Sequence, residues 1–183
     1  MTTRQNQSQA RGVPKRRPTR YGVLAALRIA LGLYWLYEQH WKLPPDFGLH
    51  DPRGLMFSFR QGIEYPTVKF YRSLLQNVVV PHFHLFGWLL GVTEVTIGTS
   101  LVLGALTRAG ALLSVLQSAN LLIAQGGTPE GPWIYVDLLA GSLFVLVAPT
   151  NRRFSVDSRL APRVAATRSR TGLLTRVLLL AMS

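Results

Sequence analysis

The chain has no cysteine. That excludes a disulfide-stapled scaffold, a thiolate metal site and any redox chemistry resting on thiols of its own. Acids are scarce too: eight Asp and Glu stand against 20 Lys and Arg, a net charge of +12. Charged residues make up 15% of the chain, where a soluble domain carries about 25%. Gly-rich phosphate loops, nucleophile elbows, CxxCH motifs and dinucleotide fingerprints are all missing from the sequence, which removes the common nucleotide-dependent and acyl-transfer enzymes. No internal repeat stands out. What is abundant is apolar: 48% hydrophobic residues and a mean hydropathy of +0.21, too much for a disordered chain. A chain both apolar and basic must separate the two along its length. The high isoelectric point then reflects segregated tails rather than a nucleic-acid surface.

The separation is plain. Six cations and no acid lie in residues 1–20, among Gln, Ser, Thr and Pro; this reads as a disordered basic tail. Seven more cations (Arg152, Arg153, Arg159, Arg163, Arg168, Arg170 and Arg176) follow Asn151, with Asp157 as the lone acid. Between the tails, four apolar runs at 21–41, 81–104, 108–126 and 132–149 are each near the roughly 20 residues that cross a bilayer. The expectation is an all-α integral membrane four-helix bundle over 21–150. Aromatics gather where the first run ends (Tyr34, Trp35, Tyr37, Trp41) and where the fourth begins (Trp133, Tyr135), as headgroup anchors do. Four spans put both tails and the turn at 105–108 on one side, with fourteen of the 20 cations. The positive-inside rule places that side in the cytoplasm, in a plasma-membrane protein with both termini inside. The first run reads as a span and not a cleavable signal, because it is long and contains Arg28.

Outside lies the loop 42–80. Pro44, Pro45 and Gly48 break the chain after the first span, and Val68, Tyr71, Leu74, Leu75, Val78 and Val79 recur at helical spacing. That predicts a short amphipathic helix lying apolar face down on the membrane surface and ending at Pro81. The segment 172–181, within the basic C-terminal tail 151–183, is too short to cross and is expected to form an interfacial helix.

Three ionisable residues interrupt the spans: Arg28, Glu94 and Asp137. Each is costly in hydrocarbon and should find a partner inside the bundle. Counting residues from the inner ends lets Arg28 meet Glu94, either as a structural lock between two helices or as a carboxylate tuned by an arginine for proton handling. Asp137 falls at the level of Glu38, Gln39 and Lys42, an outer polar cluster. Gln117, Ser118 and Asn120 offer interhelical hydrogen bonds, and Gly32, Gly98 and Gly104 allow close helix approach. All four histidines lie on the outer side. His82 and His84 suit a quinone pocket bounded by Trp88 and the Tyr34–Trp41 aromatics better than a metal site, and no metal is assigned.

These residues resemble those of the DoxX/DoxD-like membrane family. The first run carries an Arg, a Gly and a terminal Lys (Arg28, Gly32, Lys42). The second is similar to the family's Glu-xxx-Gly-xx-Leu-xx-Gly-xxx-Arg pattern (Glu94, Gly98, Leu101, Gly104, Arg108). After the fourth, a polar turn leads to Ser155-Val156-Asp157, like the family's ending. The resemblance covers about residues 22–160, and the long outer loop is closer to DoxD than to DoxX. It implies a membrane subunit of a quinone-linked oxidoreductase passing electrons from thiosulfate to quinone beside a second redox subunit; the alternative is a non-catalytic accessory or anchoring subunit. Expected site residues are Glu94 and Arg28 for protons, and His82, His84, Trp88, Tyr34, Trp35, Lys42, Asp137 and Arg108 for binding. Self-association is left open.

Overall fold

The computed structural model describes residues 19–150, 154–166, 177 and 180–182. The N-terminal tail up to residue 18 and most of the segment 172–181 lie outside the described residues. Among those described, regular structure is all helical. Four long helices form the body: α1 (Thr19–Tyr37), α4 (Phe83–Leu103), α5 (Thr107–Gln125) and α6 (Trp133–Val147). Two short helices, α2 (Leu55–Glu64) and α3 (Lys69–Leu74), lie between α1 and α4, and α3 runs on into a π-helical turn at Leu75–Val79. A last helix, α7 (Val156–Ala166), follows α6.

The breaks fall where backbone chemistry requires them. Gly104 closes α4 with φ of +65°, the left-handed conformation glycine adopts without a Cβ penalty. Gly126 and Gly127 follow α5. Pro132 precedes α6, where its missing N–H goes unneeded, and Pro149 follows it.

The long helices pack as an antiparallel ring, α1 against α4, α4 against α5, α5 against α6, and α6 back to α1. Register is set by glycines. A Cβ at Gly32 would lie 2.9 Å from the Gly98 carbonyl oxygen and from the Val102 nitrogen, so α1 and α4 touch backbone to backbone. The bundle core is Trp35, Ile97, Leu101, Ala111, Leu138 and Val145. The Trp35 indole N–H donates to Ser114 Oγ at 2.8 Å, and Ser114 and Ser142 share a bond of 2.7 Å.

A second core sits at one end of the bundle: Phe47, Leu55, Met56, Phe59, Leu75, Val79 and Phe83. It forms because α2 buries Leu55, Met56, Phe59 and Gly62, an amphipathic stripe over two turns. The sequence reading placed one surface helix in this loop and missed α2. In the structure α2, α3 and the π turn pack around this second core at the end of the bundle. Gly62 packs so closely that a Cβ there would stand 2.7 Å from the Ala124 carbonyl oxygen. Tyr71 donates to Asn120 Oδ1 at 2.7 Å, and Gln125 Nε2 donates to the Ser58 carbonyl at 2.7 Å. Helix α7 was missed as well, because the charge of the C-terminal tail hid the short apolar pair Val156 and Leu160.

Of the four helices, α4 is long and apolar enough by itself to cross a membrane; Tyr21–Tyr37 and Trp133–Val147 are apolar but shorter.

Candidate functional site

Glu94 lies on the inner face of α4 with 1% of its surface exposed. A lone carboxylate so placed would surrender its charge or unfold the site. Here four donor contacts hold it. The Lys42 ammonium donates to Oε2 at 2.8 Å and to Oε1 at 3.1 Å. The Gln39 amide donates to Oε2, and the Gln117 amide to Oε1 at 3.4 Å. A carboxylate has about four acceptor positions, so Glu94 is saturated. Lys42 is itself buried, at 7% exposure, and lies 4.3 Å from the centre of the Trp41 ring, a cation–π contact.

Local structure explains the delivery. After Tyr37 the chain continues in tight turns, with Gln39 N–H bonded to the Leu36 carbonyl and Lys42 N–H to the Gln39 carbonyl. Three residues apart on such a coil, Gln39 and Lys42 reach the same oxygens. Gln117 comes from α5, so the carboxylate joins three elements.

The group faces a cavity of about 440 Å³ where the two cores meet. Its walls include Tyr34, Trp35, Trp41, Tyr71, Phe59, Phe86 and Tyr135, with Leu74, Leu75, Leu90 and Leu121. Lys42, Glu94, Gln117, Asn120 and Glu38 give it a polar side. Such a space, mostly aromatic and aliphatic with a few convergent polar groups, is the usual form of a small-molecule site.

The residues expected at a site divide clearly. Tyr34, Trp35, Lys42 and Glu94 line the cavity. His82, His84 and Trp88 do not: His82 Nδ1 lies 2.9 Å from the Val78 carbonyl, while His84 and Trp88 stand edge-on to Phe47. They build the rim of the second core. Asp137 and Arg108 are exposed and join no site among the described residues.

Arg28 and Glu94 are not partners, which corrects the pairing expected from residue counting. The Arg28 guanidinium sits beside Gly104, at the C-terminal end of α4, and donates to the Phe154 carbonyl at 2.6 Å. The glycine register slides α1 about two turns past the end of α4, so Arg28 and Glu94 are separated by about 15 Å along the helices. Glu94's cation is Lys42, which the sequence offered as a binding residue and not as this counter-ion. Gln39 and Gln117 as ligands of Glu94 were missed; the available signal was the Gln39-x-x-Lys42 spacing together with the Gly32–Gly98 register.

Arg28's surroundings form a second buried polar group. Asp157 Oδ1 accepts the Leu106 N–H at 2.8 Å, and its Oδ2 accepts the Thr107 N–H at 2.8 Å and the Thr107 hydroxyl at 2.7 Å. Ser155 donates to the Gly104 carbonyl at 2.7 Å, and the Asp157 N–H donates to the same carbonyl at 2.9 Å. Asp157 is therefore a borrowed N-cap for α5, which lacks one of its own because Leu106 sits at the cap position. Arg28 lies near enough to attract Asp157 electrostatically.

These features define the class: an antiparallel helical bundle that buries an acid–amine pair beside an internal cavity and is closed at its α4–α5 turn by a Ser-x-Asp cap. A family profile described as the TQO small subunit DoxD matches residues 23–181, and the chain belongs to that family. TQO is thiosulfate:quinone oxidoreductase, and the match takes in the bundle, the outer cap and α7. No curated protein and no solved structure matches the chain.

Proposed function

We propose that the chain is the membrane-embedded small subunit of a thiosulfate:quinone oxidoreductase, and that its cavity receives the quinone ring. In this reading α1, α4, α5 and α6 all cross the bilayer, with the tails in the cytoplasm and the capped end outside. Short helices such as α6 span by bringing their flanking turns to the interface. The buried Lys42–Glu94 pair on the wall of an aromatic cavity carries the reading.

Physical chemistry supports the fit. A quinone ring is flat and apolar with two carbonyl acceptors, so it needs aromatic walls and a donor. Tyr34, Trp35, Trp41 and Tyr135 supply walls, and the Lys42 ammonium supplies the donor. Reduction to the quinol takes two electrons and two protons. The electrons come from the redox partner subunit, which takes them from the sulfur donor. As negative charge gathers on a quinone oxygen, Lys42 stabilises it at short range in a low-dielectric site. Glu94 orients Lys42, and the pair passes a proton to that oxygen. Glu38, half-buried on the same wall beside Tyr34, is placed to admit the second proton from the outer side.

The test is photolabelling. An azido-quinone irradiated with the purified complex should attach to peptides spanning Tyr34–Lys42 or Phe86–Glu94, and excess decyl-ubiquinone should compete. Labelling confined to peptides remote from the cavity would overturn the assignment and leave an anchoring role for this subunit.

A further inference from the structure

Helix α6 carries a stripe that the bundle leaves uncovered. Trp133, Asp137, Ala140, Phe144 and Val147 are all exposed. They recur at alternating intervals of four and three residues, the spacing of a helix-packing seam. The other side of α6, with Leu138, Ser142 and Val145, is buried. Away from the helix ends, and among the described residues, Asp137 is the one exposed charged side chain on α1, α4, α5 and α6. It lies four residues beyond Trp133, about 6 Å along the axis. If α6 spans the bilayer, that carboxylate faces hydrocarbon, where an unpaired charge is expensive.

We infer that this face docks a transmembrane helix of the redox partner subunit bearing a lysine or arginine level with Asp137; the inference rests on the membrane reading above. Charge decides the occupant. A second copy packed through the same face would set Asp137 against Asp137 at low dielectric, where like charges repel. Lipid tails supply no cation at that depth. A basic partner helix neutralises the acid, Ala140 lets its backbone approach, and Trp133, Phe144 and Val147 provide the packing area. The family is by description a small subunit, so it has a larger chain to join.

The experiment uses the full chain, labelled at Gln76→Cys in a sequence with no other cysteine and reconstituted in phosphatidylcholine vesicles. The probes are two synthetic leucine–alanine transmembrane peptides. One carries a single lysine about 6 Å below one interface, and the other has leucine there. Energy transfer from chain to peptide reports association. The lysine peptide should bind about fivefold more tightly than the leucine peptide. Asp137→Asn should erase that difference, and Ala140→Trp should weaken both. Flotation of the chain with the vesicles is read first. A chain that stays unfloated overturns the membrane reading and this inference with it. A chain that floats yet shows no lysine preference, or keeps the preference in Asp137→Asn, overturns this inference alone. So does strong transfer between two labelled copies that Ala140→Trp abolishes, since the face would then serve self-association.

Discussion

The bundle buries two carboxylates, Asp157 at the turn that follows α4 and Glu94 midway along α4, and the two are satisfied by different means. Asp157 is held by the Thr107 hydroxyl and by two backbone N–H groups, and the backbone donors cannot leave without unwinding α5. Glu94 is held by the tips of Lys42, Gln39 and Gln117, which can rotate away and be replaced. Asp157 sits in packed surroundings with Arg28 and Gly104, while Glu94 borders open volume. Backbone ligation fixes a fold, whereas side-chain ligation beside a cavity leaves a charge free to exchange partners. In the proposed function the contrast places structure at the α4–α5 turn and chemistry beside the cavity.

The largest effect should come from breaking the structural end. Asp157→Ala strips the cap from α5 and leaves the buried Arg28 without its countercharge. We expect a loss of about 3–5 kcal/mol, read as a fall in the thermal midpoint of the detergent-solubilised protein. A loss below about 1 kcal/mol would mean that this end is not organised around Asp157.

At the Glu94 site the two partners can be separated. Lys42→Met alone leaves Glu94 buried without its cation and should destabilise by about 3 kcal/mol. Adding Glu94→Gln should restore most of that stability without restoring quinone reduction. A double variant as unstable as the single one would make the pair a lock and dissolve the contrast.

Gly104→Ala tests how tightly the Asp157 end is packed. The position has φ of +65°, and a Cβ there would stand 2.2 Å from an Arg28 nitrogen. We expect a cost of about 1–3 kcal/mol, with quinone affinity in the surviving folded protein unchanged. Altered affinity would show that the two sites communicate.

These outcomes bear on what the sequence disclosed. The helices of the bundle were legible because long apolar runs and their Gly and Pro boundaries are local signals, and the glycines that set the α1–α4 contact stood out for the same reason. The pairing of charges was not legible. It depends on helix register, and a slide of two turns exchanged Arg28's partner from Glu94 to the Phe154–Asp157 segment. The Ser155-x-Asp157 pattern was visible only as a family likeness; its role as a cap for a helix some fifty residues earlier needs the fold. His82 and His84 drew attention by residue type, yet their rings serve packing and a backbone carbonyl.

A smaller effect should follow from loosening the lid over the cavity. Tyr71→Phe removes the bond to Asn120 and should cost about 1 kcal/mol. Burial pushes the Tyr71 phenol above its ordinary value. The folded state thus favours the neutral phenol. Its contribution is full below pH about 10 and falls as pH rises beyond that, because the unfolded chain ionises first. Stability curves of wild type and Tyr71→Phe should run parallel up to that pH and converge above it.

The smallest effect is expected from His82→Ala and His84→Ala, which should leave quinone affinity within about twofold, below 0.5 kcal/mol. A tenfold loss would move the site from the cavity to the outer rim.

The central claim is that the Glu94–Lys42 pair serves the quinone and not merely the fold. The most direct test is thiosulfate-dependent reduction of decyl-ubiquinone by membranes carrying the intact complex, with Glu94→Gln in place of the native residue and expression matched by immunoblot. Glutamine keeps the size of the side chain and removes its charge and proton. The account predicts a fall of about 100-fold in turnover with the protein still assembled; turnover equal to the native complex would contradict it.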